Sequence, residues 1–474
     1  MMVPSRSNKI AWPHFFFIAA LLLLAVGMVF GITGGLQYLV PGFLKQYFSF
    51  EKIRPLHVSA VVFWIILSAT GGVMSYVQEY KGRKIYSTVL LKIQFWLFVY
   101  AIISILMSYM AGVFGGREYW EYPPILSLPI VCAWILFLVN FILSIGTLKK
   151  QPVYVWMWLT GTVFFLFTFL ESYLWLIPYF RNNVVNDMTI QWKSYGSIVG
   201  SWNMLIYGSA IFLMDKIIED KSKSHSRMVF ALYFTGLFNL MFNWGHHIYT
   251  LPTYAYVKHI SYAVSMTELL ILGRIIYHWR SSLSTAQKYF HKQSYRFLAA
   301  ADAWIFLNLL LAIAMSIPGI NVYTHGTHIT VAHSMGTTIG INSFLMLAIG
   351  FDILQDSSRP IDTYKKQLTL GFWITNASLL LFWISLIIAG VMKARWQMST
   401  VQEPFSIMML ALRPFFILFF ISGLTMACGF LMIIYPLLKN RLLYYRKGVQ
   451  KEKTIEHLPG DAFASEQNSL FNQP

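Results

Sequence analysis

Phe15-Phe16-Phe17-Ile18-Ala19-Ala20-Leu21-Leu22-Leu23-Leu24-Ala25-Val26-Gly27-Met28-Val29-Phe30 contains no charged and no strongly polar side chain. Its apolar residues are continuous, with neither the alternation of a half-buried strand nor the one-sided stripe of a surface helix. Set within residues 13–37, the run is long enough to cross a bilayer, which takes about 20 apolar residues. Lipid offers the backbone no hydrogen-bond partners, so only helices or a closed barrel can span it. Continuous apolarity selects helices. Comparable runs recur along the chain and predict twelve spans, near 13–37, 55–78, 88–111, 125–148, 153–177, 191–214, 227–247, 255–279, 297–318, 328–354, 367–392 and 408–438. The expected fold is all-α and polytopic, with a transmembrane domain over 1–438. A basic tail over 439–474 turns Ser/Asn-rich and is expected to be disordered beyond Glu456.

Composition agrees. Hydrophobic residues are 57% of the 474 and charged residues only 12%, against roughly 25% charged in soluble domains; mean hydropathy is +0.57. The net charge of +17 suggests nucleic acid, but most basic residues lie in short loops, where they act as topology signals. Lys81, Arg83 and Lys84, Lys149 and Lys150, Lys216, Lys221 and Lys223, and Lys365 and Lys366 all follow even-numbered spans. Both termini are therefore expected on the cytoplasmic side of a cell membrane, with no nucleic-acid partner. The first span is expected to be uncleaved, because no convincing small-residue cleavage site follows it. Cys132 and Cys428 sit inside apolar runs and build neither a disulfide framework nor a zinc site. No CxxCH motif is present, so this chain attaches no c-type haem.

The histidines are the chemically informative residues. His57 opens the second span, His246 and His247 close the seventh, and His325, His328 and His333 stand at or just inside the start of the tenth. The loop charges put all of them on the outer side. One such histidine is readily an interfacial or helix-pairing residue. A set at one depth points to function, since ionisable groups in spans usually mark functional sites. Imidazole ligates iron, copper and zinc. Adjacent His246 and His247 cannot share one helix radius, but a pair at a helix end can close on one ion if the backbone loosens. His333 and Met335 lie about 200° apart around a helix, so they could face two different cofactors. His/Met ligation is a known haem mode that raises its potential.

At these residues the sequence resembles the large subunit of the cytochrome-c-dependent nitric oxide reductases, within the haem–copper oxidase superfamily. Arg54-Pro55-Leu56-His57 with Ser59-Ala60 looks like the helix whose histidine ligates the low-spin haem. Gly116-Arg117-Glu118-Tyr119-Trp120-Glu121 looks like the loop where a glutamate, here Glu118, binds a calcium bridging haem propionates. Gly245-His246-His247 looks like the paired ligands of the non-haem iron, and Glu268 like a buried glutamate serving proton supply. Thr324-His325-Gly326-Thr327 with Ala332-His333 looks like the tenth helix, whose histidine is the proximal ligand of the high-spin haem. Arg54 and Arg117 fit propionate partners and fit equally as ordinary interfacial cations.

Two departures stand out. Where the family has the second low-spin histidine, this chain has Met335; either that haem has His57/Met335 ligation, or it is five-coordinate or absent. The family's sixth-helix histidine and glutamate ligands fall on Tyr195 and Val199. Asn203 shares the Tyr195 face, so Tyr195, Asn203 and Glu268 become the candidate oxygen donors beside His246 and His247; alternatively the sixth span has lost the metal.

The resemblance implies the subunit I arrangement, two b-type haems, non-haem iron and calcium. It also implies a small membrane-anchored c-haem subunit, a cytochrome c donor and reduction of nitric oxide to nitrous oxide. Nitric oxide dismutation, oxygen reduction, or a degenerate haem-carrying subunit without gas turnover are the competing expectations.

Overall fold

The computed structural model describes residues 11–266, 284, 288, 292–354, 364–401 and 403–456. Among them no strand occurs, and eleven helices are long and apolar enough to cross a membrane. They begin with α1 (Trp12–Leu39), α2 (Phe50–Lys81), α3 (Thr88–Met110), α4 (Leu128–Ile145), α5 (Val153–Glu171), α6 (Val184–Ile218) and α7 (Arg227–Phe242). A helix follows over 255–266, here α8; the rest of the eighth expected span, with Glu268, lies outside the described residues. The chain continues with α9 (Lys292–Ser316), α10 (His328–Leu354), α11 (Lys365–Gln397) and α12 (Phe405–Glu456).

The helices overrun the expected spans where polar residues can leave the lipid. α6 starts at Val184 because the Asn183 side chain caps it, accepting from the Asn186 backbone N–H at 3.1 Å. α12 runs on to Glu456, so residues 439–456 continue that helix. Residues after Glu456 lie outside the described set.

Burial separates centre from periphery. In their most apolar windows α2 and α10 are 78% buried and α6 is 72%, against 33% for α1 and α3. α2, α6 and α10 therefore form the middle of the bundle, and the remaining helices shield them from lipid. Missing side chains let helices approach where lipid provides no hydrophobic drive between them. A Cβ on Gly161 of α5 would lie 2.6 Å from the Ser201 carbonyl of α6, and one on Gly390 of α11 would lie 2.5 Å from the Ile329 amide of α10.

The two ends of the bundle differ chemically. At one end, Lys216 of α6 lies 2.8 Å from Glu79 of α2 and 2.9 Å from Asp352 of α10, and the Tyr76 hydroxyl donates to Asp352 at 3.1 Å. At the other, aromatic contacts join Tyr38 of α1 to Phe50 of α2 (5.4 Å) and to Phe416 of α12 (5.7 Å). The histidines belong to this second end.

Candidate functional site

A cavity of about 820 Å³ opens between the central helices and α1, α7, α9, α11 and α12. His57, His246, His247, His328, His333 and Met335 all line it. Each is positioned by a local device.

On α2, the His57 Nδ1 is 2.7 Å from the Gly27 carbonyl of α1. A carbonyl only accepts, so Nδ1 carries the proton and Nε2 keeps its lone pair. This backbone tether is the usual way a metal-binding imidazole is oriented. Gly31, one turn along α1, makes room for the ring: a Cβ there would sit 2.8 Å from His57 Nδ1.

On α10, His328–Met335 is α-helical, and Gly336–Ser343 then widens into a π-helix, a local form that frequently marks functional sites. His333 and Met335 thus keep the 200° separation expected of an α-helix. His333 Nδ1 is buried with no hydrogen-bond partner among the described residues. Gly336 lets α9 approach, since a Cβ there would lie 2.2 Å from Asn308 Oδ1, and the Asn308 amide donates to Thr337 at 2.7 Å. The π segment ties α10 to α2 and α6: Trp64 donates to Ser343 at 3.0 Å, and Asn342 donates to Asn203 at 3.0 Å.

The adjacent histidines lie where α7 tightens into a 3-10 segment, Asn243–Ile248. Within that segment the two ring centroids lie 4.1 Å apart with the planes at 45°. His246 Nδ1 donates to Asn243 Oδ1 at 3.0 Å, which leaves Nε2 free for a metal. His247 stacks on Trp192 of α6 at 4.6 Å with the planes 15° apart. His325 stands 6.4 Å from both His247 and Trp192 but does not line the cavity. Burial lowers its basicity below that of a free imidazole.

The oxygen donors divide. Tyr195 and Asn203 both line the cavity, as their shared helix face implies. Asn203 Oδ1 is engaged by Asn342. Tyr195 packs edge-on against Tyr119 at 5.6 Å, and its hydroxyl has no hydrogen-bond partner among the described residues. No cluster of three or more His, Cys, Asp or Glu that could hold a metal by itself occurs among the described residues. Among the described residues, the oxygen donors that line the cavity with His246 and His247 include the Tyr195 hydroxyl and the Asn203 amide.

At the outer rim, Arg54 lines the cavity and holds both loop glutamates, Glu118 at 2.5 Å and Glu121 at 2.9 Å. Arg117 is drawn elsewhere: it pairs with Asp187 at 2.6 Å and lies over the Trp175 ring at 5.0 Å. Of the two arginines, only Arg54 is placed to meet a carboxylate inside the cavity. Burial raises the Glu121 carboxyl above the ordinary carboxylate range, against the opposing pull of Arg54.

Sequence reasoning did not single out Trp192, Asn243, Asn342 or Gly31. Trp192, Asn342 and Gly31 act across helices distant in sequence, while Asn243 acts on His246 within the same 3-10 segment.

The comparisons with known proteins agree with this arrangement. Residues 13–425 match the family described as Cytochrome C and Quinol oxidase polypeptide I. The chain belongs to that family.

Its similar relatives include a nitric oxide reductase subunit from Stutzerimonas stutzeri, 23% identical over 91% of this chain and 94% of that one. A cytochrome c oxidase subunit 1 homologue of Agrobacterium tumefaciens is also 23% identical, over 89% and 82%. So is the cbb3-type cytochrome c oxidase subunit CcoN1 of Stutzerimonas stutzeri, over 86% and 90%. Among solved structures, a haem–copper terminal oxidase dimer superposes with a TM-score of 0.71 at 15% identity, covering 92% of this chain and 85% of that one.

Members of the Cytochrome C and Quinol oxidase polypeptide I family are membrane oxidoreductases that bind haems and a metal centre. The cavity fits such groups. It offers a tethered imidazole over a glycine cradle on one side of α10, and a second imidazole on α10 opposite the His246/His247 pair.

Proposed function

We propose that this chain is the catalytic subunit of a membrane nitric oxide reductase, taking electrons from a cytochrome c. The observation that carries the reading is the His246/His247 pair, on a loosened helix end, lining one cavity with His333.

In this reading His57 and Met335 hold one b-type haem, and His333 holds the second. His246 and His247 hold a non-haem iron, with the Tyr195 hydroxyl as the available oxygen donor. When bound, these groups supply electrons and Lewis acidity for coupling two nitric oxide molecules to nitrous oxide and water, with two electrons and two protons. The chain does the rest. Gly27 and Asn243 fix the tautomers of His57 and His246. Trp192 holds the His247 plane. The Asn203–Asn342 pair fixes α10 against α6. Glu118, Glu121 and Glu268 are the candidate proton carriers at the outer side, and calcium would bind at Glu118 once Arg54 releases it. A small membrane-anchored c-haem subunit would be the immediate partner, in a cell inner membrane with both termini cytoplasmic.

Tyr195 and Val199, where the resembled reductases have metal ligands, favour a second reading. An altered metal site is compatible with nitric oxide dismutation, and the oxidase relatives at equal identity keep oxygen reduction in view. Purified protein should contain two haems and one non-haem iron, consume nitric oxide with reduced cytochrome c, and release nitrous oxide. Release of nitrogen and oxygen supports dismutation; copper with oxygen uptake supports an oxidase. His333→Ala should remove the high-spin haem spectrum while leaving the low-spin one. Protein without haem absorbance refutes the assignment.

A further inference from the structure

The cavity contains one histidine with no part in this scheme. His328 is the first residue of α10 and lies seven positions before Met335. Seven residues of α-helix turn roughly 700° and rise about 10 Å. His328 and Met335 therefore share one face of α10, the face away from His333, with His328 about two turns nearer the outer end.

Its neighbours give the same depth. His328 meets Phe416 of α12 edge-on at 5.2 Å, and Phe416 in turn touches Tyr38 of α1. Tyr38 is seven residues from Gly31, the residue that cradles His57. Along both α1 and α10, then, the His328 level stands two turns outward of the His57/Met335 level. Arg54, one turn outward of His57, is a cationic donor on that rim. Both its outer contacts are already carboxylates, Glu118 and Glu121.

The ring is oriented for donation. His328 Nδ1 is buried with no partner. A neutral imidazole has one N–H; with no acceptor at Nδ1 and no iron to hold at Nε2, the proton of His328 belongs on Nε2. Nε2 is the accessible nitrogen of a residue that lines the cavity. Lys393 of α11, bonded to the Gly326 carbonyl at 2.9 Å, adds positive charge at the same rim.

We propose that His328 binds a propionate of the haem held between His57 and Met335, its Nε2–H donating to the carboxylate. The step rests on the haem assignment made above. It gives this chain a carboxylate-binding residue on α10 that works beside an Arg54 already neutralised by two glutamates. A donor there offsets part of the propionate charge and so favours the reduced, more electron-rich haem. His328 is a positioning and tuning residue, and ligates no metal.

The test uses the full purified chain, with haem content, optical spectrum and redox titration read separately. His328→Leu should keep the low-spin haem and its axial spectrum but lower its midpoint potential. His328→Gln, which retains an N–H donor, should return the potential toward wild type. In His328→Gln the redox-induced infrared band of the propionate carboxylate should also shift, a readout that survives if the leucine variant folds poorly. A potential and carboxylate band unchanged in both variants overturns the proposal. So does loss of the low-spin haem from both variants with the high-spin haem intact, since His328 would then support the iron site itself. Failure of the haem assignment is distinct, because wild-type protein would then contain no low-spin haem to titrate.

Discussion

Gly31 and Gly27 are two small residues in an apolar run, yet together they set the His57 ring: one gives it space and the other an acceptor. In the proposed scheme Met335 faces His57 across a haem, and it is the residue most open to experiment. A methionine ligand raises haem potential relative to a second imidazole. Met335→His should therefore shift the low-spin optical spectrum toward bis-histidine character and lower that haem's potential in a redox titration. An unchanged spectrum removes Met335 from the ligand set. Glu121 supplies a residue-scale pH effect. Burial raises its carboxyl in the folded chain, so the folded state retains a proton that the unfolded chain has lost just above the ordinary carboxylate range. Stability then falls as pH rises through that window. The melting temperature in detergent should decline across it, and Glu121→Gln should flatten the decline; equal slopes would acquit Glu121.

Among the elements, α10 is decisive, because its α-to-π transition follows directly after Met335. An α-helix continued past Gly336 would present different residues to α6 and α2, breaking the Asn342–Asn203 and Trp64–Ser343 contacts. Neither contact is legible in the sequence, since the partners are far apart along the chain. Asn342→Leu should cost about 1–3 kcal/mol through the unpaired Asn203 carbonyl oxygen and the lost tie. It should lower the melting temperature of the purified protein and broaden the high-spin haem spectrum. A lower melting temperature with an unchanged spectrum would limit the π segment to stability. The 3-10 segment at His246 and His247 is a parallel case. The sequence showed that neighbouring histidines need a loosened helix end to share an ion, and the structure places that loosening at Asn243–Ile248.

Across the whole molecule, the three central helices are pinned at both ends by different chemistry. Lys216, Glu79 and Asp352 join α6, α2 and α10 at the end away from the histidines. Asp352 is the most enclosed of the three, with its side chain 7% exposed. Lys216→Met would leave that carboxylate without its cation, a change that costs about 3–5 kcal/mol when an enclosed pair loses one partner. Thermal unfolding in detergent should show a large loss, with partial recovery in the Lys216→Met/Asp352→Asn double variant. Additive losses in the double variant would show that the pair is not coupled. At the histidine end, aromatic packing joins α1, α2 and α12, and Arg54 with its two glutamates lies on the cavity rim.

Long apolar runs by themselves determined the helical, membrane-spanning class of this protein and the order of its spans, because a backbone in lipid must satisfy its own hydrogen bonds. Histidine placement at span ends also pointed to the end where the cavity-lining imidazoles gather. The tertiary structure decided what a linear pattern cannot hold: that Gly31 cradles His57, that Asn203 is committed to Asn342 while Tyr195 stays available, and that Arg54 reaches the cavity while Arg117 does not. These depend on side chains meeting across helices, and packing fixes such meetings only once the whole bundle has closed.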